Sequence, residues 1–463
     1  MIRLTKIIKI NNTKKYFILK HFCHTEASNN HHDIIVAGGG MVGSTMALAL
    51  GKNSILNSKK VLLLEGRPQS KIAISETYSK RVSAITPSSV ELFESLGAWK
   101  HIQQVRYAPV NCMQVWDGCS DAQITFNHDD FENLAYIVEN NLILQSIEKE
   151  LASLAAGDNS SIKLFYGAKI KSYDLPTSKE GVAKVTLEDG TTFTCDLLIG
   201  ADGANSRIRN AMGVHYVHWN YDQRSIVATL HLADDMPNTT AWQRFTPDGP
   251  IALLPLTSKL SSLVWSTTSE NARKISKLPN DQFVDAVNEA FFKQFPRDQL
   301  VDNLSKGMTD LLTKLNVNQN NNVRQLPPQI EGVDEGSRAV FPVGFGHCSN
   351  YVNHGVALIG DAAHRVHPLA GQGVNLGFQD VALLTKLIEE AVYRGSKIGN
   401  FALLKEYERK SQINNVPTVF GIDALHKLYS TTFMPLVLVR SLGLQAVHSL
   451  PLVKKLIMKY AQR

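Results

Sequence analysis

Apolar positions along this chain follow two spacings, and the spacings predict its elements. Asp33–Gly66 reads as strand, glycine turn, helix and strand, a βαβ unit. An apolar helix is predicted over about 141–155. Leu197-Leu-Ile-Gly-Ala-Asp-Gly203 is a second buried strand ending in an acidic turn, and Val356–Ile359 is a third, stopping at Gly360-Asp361. Beyond it Val374, Phe378, Val381, Leu384 and Ile388 stand at helical spacing, so a helix starts near Gly373. Between 225 and 267 the period falls to two. Ile226, Ala228, Leu230 and Leu232 share one face of an extended strand, while Val227, Thr229 and His231 share the other. Ile251–Leu256 and Ser262–Thr267 are also strand-like, and Pro247-Asp248-Gly249 is a turn signal.

This order predicts an α/β chain. A Rossmann-type dinucleotide-binding domain is interrupted by a mostly antiparallel β-sheet domain and followed by C-terminal helices. The expected bounds are 31–215 and 346–400 for the two parts of the nucleotide domain, 216–345 for the inserted substrate domain and 401–463 for the helical end. An Asn/Gln/Pro-rich stretch at about 316–330 reads as an exposed loop or linker. With 463 residues the chain can bury a large core. No uncharged apolar run reaches the roughly 18–20 residues of a membrane span.

Charge is unevenly spread. Of 48 Lys and Arg, six lie in 1–25 and six after Asp423, where there are no acids; the body between holds 36 against 42 acidic residues. The basic ends, not the body, set the net charge of +6, which argues against nucleic acid as the partner. The opening segment, 1–30, is basic and amphipathic at its start, with Ile2, Leu4, Ile7 and Ile8 among Arg3, Lys6 and Lys9. It reads as a mitochondrial transit peptide, the alternative being a disordered basic arm. Of five cysteines, Cys23 falls in this leader; Cys112, Cys119, Cys195 and Cys348 read as reduced thiols, with a Cys112–Cys119 disulfide as an alternative.

Three motifs carry chemistry. Gly38-x-Gly40-x-x-Gly43 follows a strand and opens a helix, as pyrophosphate-binding turns do, and Glu65 ends the next strand where a carboxylate can take the adenosine ribose hydroxyls. Asp202-Gly203, followed by Ser206 and Arg209, is the second; a helix-capping turn is its bland reading. The third is Asp361, placed to reach ribitol oxygens, with the backbone N–H groups around Gly371–Asn375 aimed at the flavin's pyrimidine side, where a helix dipole stabilises an anion. The three together indicate one FAD site. His364 and His367 lack a third ligand at metal spacing and read as packing or hydrogen-bonding residues.

These elements, in this order, resemble the para-hydroxybenzoate-hydroxylase-like flavin monooxygenases. Ser75–Ile85, Met113–Asp117, Trp219–Gln223, Ala241–Phe245, Gly249–Leu256, Ser262–Ser266 and the opening segment narrow the resemblance to the eukaryotic mitochondrial ubiquinone (coenzyme Q) biosynthesis monooxygenases, over roughly 31–463. The resemblance implies FAD contacts at Gly38, Gly40, Gly43, Glu65, Arg81, Asp202, Gly203, Gly360, Asp361, Pro368, Gly371, Gln372, Gly373, Val374 and Asn375. Many flavin hydroxylases carry an Arg where this chain has Asn140-Asn141, so that phosphate contact is not carried over.

The resemblance further implies that reduced flavin captures O2 as a C4a-hydroperoxide, which hydroxylates a polyprenylated hydroxybenzoate-type ring, at carbon 5 in the family's usual assignment. It implies a ferredoxin and its reductase as electron source, a coenzyme Q biosynthetic complex as partner, and the matrix face of the inner membrane as location. An NAD(P)H-driven hydroxylase of a small soluble phenol, and a flavin-loaded scaffold, are the alternatives. Pro368 is a candidate shaper of the ring pocket and Arg244 a candidate partner of the substrate phenolate or carboxylate; a turn residue and a surface strand residue are their bland readings. Trp242 and Trp265 are expected in the sheet core. Residues 424–463, apolar with basic residues only, read as a helix in an anionic membrane interface or as a helix docked on the flavin domain.

Overall fold

The computed structural model describes residues 30–69, 74–127, 133–157, 160–295, 299, 301, 303–304, 307–308, 325–368, 371 and 373–462. The predicted leader apart from Asn30, linker residues 316–324 and Gln372 lie outside the described residues.

The chain opens with strand β1 (His31–Ala37), helix α1 (Met41–Lys52) and strand β2 (Val61–Glu65). Strand β3 (Val82–Ile85) and helix α2 (Pro87–Ser95) lead to a hairpin, β4 (Cys112–Asp117) and β5 (Gln123–Asn127). Helix α3 (Asn140–Ala155) precedes strands β6 (Ile162–Tyr166) and β7 (Thr192–Gly200). Four long strands follow, β8 (Tyr216–Leu232), β9 (Thr240–Thr246), β10 (Gly249–Pro255) and β11 (Leu260–Thr268), then helices α4 (Ser269–Ile275) and α5 (Asn280–Phe292). Strands β12 (Ala339–Cys348), β13 (Val356–Leu358) and β14 (His364–Arg365) lead to helices α6 (Gly373–Tyr393), α7 (Phe401–Tyr429), α8 (Met434–Ser449) and α9 (Pro451–Ala461).

In the first sheet β13, β7, β1, β2 and β6 lie side by side and parallel. Crossovers put helices on the faces of a parallel sheet, so its strands must be apolar on both sides. Ile34–Val36, Val61–Leu64, Leu197–Ile199 and Val356–Leu358 are buried accordingly. The close fit at the first turn requires glycine: a Cβ on Gly38, whose φ is +110°, would stand 2.4 Å from the Ala201 carbonyl oxygen, and one on Gly43 would stand 1.9 Å from that of Gly38.

The second sheet runs β14–β12–β8–β11–β10–β9–β4–β5 and is antiparallel except for the β9–β4 pair. Its limits differ from the expected 216–345. The hairpin β4–β5 comes from within the first part of the nucleotide domain, and β14 from within the second. One face carries Trp116, Ile226, Trp242, Ile251 and Trp265 against Ala272, Phe283 and Phe291 of α4 and α5, so Trp242 and Trp265 pack in the sheet core as expected. The four described cysteines are free thiols.

A buried ion pair fixes the C-terminal helices to this sheet. Arg440 of α8 meets Asp117 of β4 through two bonds, Nε to Oδ2 at 2.9 Å and an Nη to Oδ1 at 3.0 Å. The guanidinium also donates to the carbonyls of Leu428, Tyr429 and Thr431. Both side chains are 1% exposed. Asp117→Ala, which strands the buried guanidinium, is expected to lower unfolding free energy by about 3–5 kcal/mol, while Asp117→Leu with Arg440→Met regains most of it. Denaturant unfolding reads both; a loss under about 1 kcal/mol for the single variant would refute this role.

Candidate functional site

Parallel register brings the candidate motifs to one edge. β1 runs into Gly38, β2 ends in Glu65, β7 runs into Asp202 and β13 into Gly360-Asp361, and these four strands are neighbours. The crevice outside the carboxyl ends of such strands is where α/β sheets bind ligands.

A cavity of about 1050 Å³ begins there. Gly40, Arg81, Gly203, Asp361, Pro368, Gly371, Gly373 and Val374 line it, whereas Gly38, Gly43, Glu65, Asp202, Gly360 and Asn375 do not. A Cβ on Gly40 or Gly203 would meet nothing within 4 Å, so both leave room for a ligand beside the backbone.

Glu65 is tied into the glycine turn. Its Oε2 accepts the Gly39 N–H at 2.5 Å, and its Oε1 accepts the backbone N–H and Nε–H of Arg67, each at 2.8 Å. Burial opposes its ionisation, but the bonds from Arg67 and Gly39 prevail and hold its pKa below the usual carboxylate value. Each carboxylate oxygen can still accept a hydroxyl. Arg67, absent from the sequence expectations, also donates to the Gly39 carbonyl at 3.3 Å.

Asp202 caps the following helix, its Oδ2 accepting from the N–H groups of Arg207 at 2.7 Å and Ile208 at 3.3 Å. Its Oδ1 is buried with no partner among the described residues. A buried acceptor lacking a donor is costly, so this oxygen suits a ligand hydroxyl or an ordered water. With the open glycine positions it makes the crevice fit a dinucleotide.

Asp361 lines the cavity and its side chain is exposed there, although protein packs densely around the site. Desolvation by the surrounding protein pushes its pKa up, with His364, Arg365 and Arg81 opposing. Arg81 lies 5.0 Å over the Phe341 ring. Behind Asp361 the Gly360 N–H donates to Asp380 at 2.9 Å, so it is committed to the protein. His364 Nε2 lies 2.7 Å from the same Asp380 oxygen. His367 Nε2 lies 3.4 Å from Gln223 Oε1, and burial with the neighbouring His426 pushes its pKa down to about 3. The side chain of Asn375 is also committed. It donates to the Ala84 carbonyl at 2.8 Å and accepts from the Thr86 N–H at 3.2 Å and Ser89 Oγ at 2.9 Å, latching the start of α6 to β3 and α2. Asn140 lines the cavity and accepts from Ser83 Oγ at 2.7 Å.

Arg244 requires a correction. Alternation along β9 turns Ala241, Gln243 and Phe245 to the cavity and Trp242 and Arg244 to the helices. Arg244 caps the end of α5, donating to the carbonyls of Ala290 at 2.8 Å and Lys293 at 2.5 Å. It lies across the sheet from the cavity and does not meet a substrate there. Its neighbour Gln243 faces the cavity instead. The cross-strand row Val115–Gln243–Ala252–Val264–Val227 lines the cavity, and Gln243 is its one polar member. Its amide has no partner among the described residues. A polar residue in the apolar period of a strand was the available signal.

Further along, the cavity is apolar. Ile124 and Phe126 of β5, Leu425 and Leu428 of α7, Leu444 and Val447 of α8, and Ile457 and Met458 of α9 enclose it. The site thus joins a polar, glycine-rich crevice to a largely apolar region of the same cavity.

Comparison with known proteins agrees with this geometry. The family model of the FAD binding domain matches residues 31–311 and 330–414. The ubiquinone biosynthesis monooxygenase COQ6, mitochondrial, of Drosophila melanogaster is 50% identical over 94% of this chain and 90% of its own length. The Homo sapiens protein of the same name is 44% identical over 93% and 92%. The fold is similar to that of a Klebsiella pneumoniae HpxO variant complexed with FAD, with TM-score 0.64 and 16% identity over 93% of this chain and 99% of that one. The chain belongs to the ubiquinone biosynthesis monooxygenases of the FAD-binding-domain family, flavin-dependent oxidoreductases with FAD as cofactor.

Proposed function

We propose that this chain inserts one oxygen atom from O2 into a polyprenylated hydroxybenzoate-type ring, at carbon 5, during ubiquinone synthesis. It works in the mitochondrion, peripheral to the matrix side of the inner membrane and within a coenzyme Q biosynthetic complex, with electrons from a ferredoxin and its reductase. Ring position, donor, complex and location rest on the family resemblance. The substrate class rests on one observation as well: the cavity continues from the flavin crevice into an apolar channel lined by Phe126, Leu428, Leu444 and Val447. A small soluble phenol needs no such channel, whereas a polyprenyl tail gains from burial there.

Bound FAD supplies the activation of O2, which no side chain can. The protein binds, orients and excludes water. The Gly38–Gly43 turn takes the pyrophosphate, Glu65 the adenosine ribose, and Asp202 and Asp361 further hydroxyls of the cofactor. N–H groups at the start of α6, Gly373 to Asn375, and the charge of Arg81 favour a negative flavin. Pro368 shapes the ring pocket, and Gln243 hydrogen-bonds a polar substituent of the ring. The apolar row around Gln243 keeps competing water away and strengthens that bond.

Three outcomes test this reading. Cells lacking the protein should accumulate a prenylated ring short of one hydroxyl, identified by mass in a lipid extract; normal quinone levels would remove the assignment. Gln243→Leu should cut kcat/KM about 5- to 30-fold, the worth of one hydrogen bond of about 1–2 kcal/mol, with FAD content unchanged. An unaltered kcat/KM would free Gln243 of this role.

The third concerns Asp361. Its pKa is raised in the fold, so its charge costs stability at pH values above the raised pKa, a cost absent below the ordinary carboxylate value. Asp361→Asn should therefore raise the melting temperature of the cofactor-free protein at neutral pH, though only slightly, because solvent reaching the cavity screens the carboxylate. It should also weaken FAD about 10- to 100-fold, the loss of about 1.5–3 kcal/mol in a charge-assisted hydrogen bond. Melting curves and flavin-fluorescence titration read the two effects separately, and an unchanged FAD Kd would refute the contact.

A further inference from the structure

We propose that helices α8 and α9 seat the protein on an anionic bilayer, and that the cavity opens onto this bilayer between them, so that a tail-bearing substrate enters from lipid. The entry half rests on the hydroxylase reading above; the docking half does not.

The two helices are two-sided. On the inner side Val437, Arg440 and Ser441 are buried, Leu444 and Val447 pack with Phe245 and Tyr429, and Ser441 Oγ donates to Ser120 Oγ at 2.8 Å. α9 is held through Tyr460, whose hydroxyl donates to the Asn414 carbonyl at 2.7 Å. On the outer side Val439 is 61% exposed, Leu452 78% and Leu456 68%, with Leu436 and Val453 beside them in the sequence pattern. An exposed apolar surface of this extent marks an interaction site.

Three observations name a bilayer as its occupant. No acid follows Asp423, while Lys455 and Lys459 are exposed on α9, a composition that favours anionic headgroups over a protein face of mixed charge. The helices meet at 96°. At 1.5 Å per residue they are about 24 and 16 Å long, each short of the roughly 30 Å hydrocarbon core. The pair together is long and apolar enough for a broken span, but its right-angled bend suits two helices lying along the surface. No single described helix is long and apolar enough to cross a membrane.

The mouth follows from residues that do both jobs. Val439 on α8 and Ile457 on α9 are exposed and also line the cavity. Gly443, one helical turn on from Val439, lines it too, and a Cβ there would meet nothing within 4 Å. A tail leaving the channel here passes directly into the apolar zone where Leu452 and Leu456 would sit. It need not cross water, which would cost roughly 0.8 kcal/mol per CH2.

The test uses the full FAD-loaded chain with phosphatidylcholine vesicles, with and without phosphatidylglycerol. Wild type should co-float with the anionic vesicles and less with the neutral ones. Leu452→Glu with Leu456→Glu should lower that partitioning at least about tenfold. These positions are exposed and outside the cavity, so FAD absorbance and turnover of a phenol with a single prenyl unit in solution should be retained. Turnover of a long-tailed phenol supplied in vesicles should fall with binding. Val439→Trp should bind vesicles like wild type yet slow the long-tailed substrate selectively. Vesicle binding undiminished in the glutamate variant would overturn the docking half. Undiminished long-tail turnover by Val439→Trp would overturn the entry half. A wild type that hydroxylates neither phenol would sink the hydroxylase reading and the entry half with it, while flotation still decides docking.

Discussion

The buried carboxylate of Asp380 on α6 holds the cofactor edge in place. It accepts the Gly360 N–H at 2.9 Å and faces His364 Nε2 at 2.7 Å, so it fixes both sides of Asp361. Its other oxygen accepts from Ser411 Oγ at 2.5 Å and Asn415 Nδ2 at 3.2 Å, both on α7. Asp380 and His364 are each 1% exposed. Burial disfavours the charged imidazole, yet the facing carboxylate outweighs it, and the pKa of His364 rises. A carboxylate so enclosed is tolerable only when fully partnered, and an incomplete set of partners would be worse than an apolar core. The Asp361 loop therefore has one well-satisfied arrangement, which suits a residue that must meet a cofactor at fixed distance.

The same helix α7 extends that constraint to the second sheet. Near its start Glu408 accepts the N–H groups of Tyr351 at 2.8 Å and Val352 at 3.2 Å, and the Tyr407 hydroxyl donates to the Leu358 carbonyl at 2.9 Å, all on the first sheet's side. Near its end Asp423 accepts from Tyr221 Oη at 2.7 Å and Trp219 Nε1 at 3.2 Å, and His426 Nε2 lies 2.9 Å from Gln223 Oε1. The pairing of β8 with β12 shifts register between Asn220 and Arg224, where Asp222 has a φ of +53°. Asp tolerates that left-handed conformation, and a bulge re-aims side chains. Here it accompanies the turning of Tyr221 and Gln223 toward α7. One helix thus ties the Asp361 edge of the first sheet to the second sheet at a fixed spacing, as the proposed oxygen transfer between them would require.

Local motifs were readable because strand ends write them in a few adjacent residues. Gly38–Gly43, Asp202-Gly203 and Gly360-Asp361 each join an apolar run to an acidic or glycine turn, and parallel pairing then gathers them. The alternation of β8 and the burial of Trp242 and Trp265 were readable for the same reason. What escaped was non-local. Nothing around Cys112–Asn127 says that this hairpin pairs with β9 rather than staying with the first sheet. Asp380, Glu408 and Asp423 look in sequence like the solvated face of a helix, and only their partners from distant strands make them buried. Asn375 and Gly360 were assigned by motif to the cofactor, but the polar groups described for them, the Asn375 side chain and the Gly360 N–H, serve the protein.

Gln243 and Arg244 show how finely a strand divides such roles. Adjacent in sequence, they point to opposite faces, one into an apolar cavity and one onto the carbonyl end of α5. Arg had the better chemical claim to a phenolate. In this cavity, though, an unpaired guanidinium would carry a large desolvation cost whenever the substrate was absent. A neutral amide costs far less to leave waiting and can both donate to and accept from a ring substituent. Of the charged residues that line the cavity, Arg81 and Asp361 stand at the glycine-rich end, while Arg440 on α8 has its charge met by Asp117. An enzyme that took its substrate from lipid, as proposed above, would gain from a route free of unpaired charge. The apolar side chains of Ile124, Phe126, Leu428, Leu444, Val447 and Met458 on the cavity wall suit that proposal.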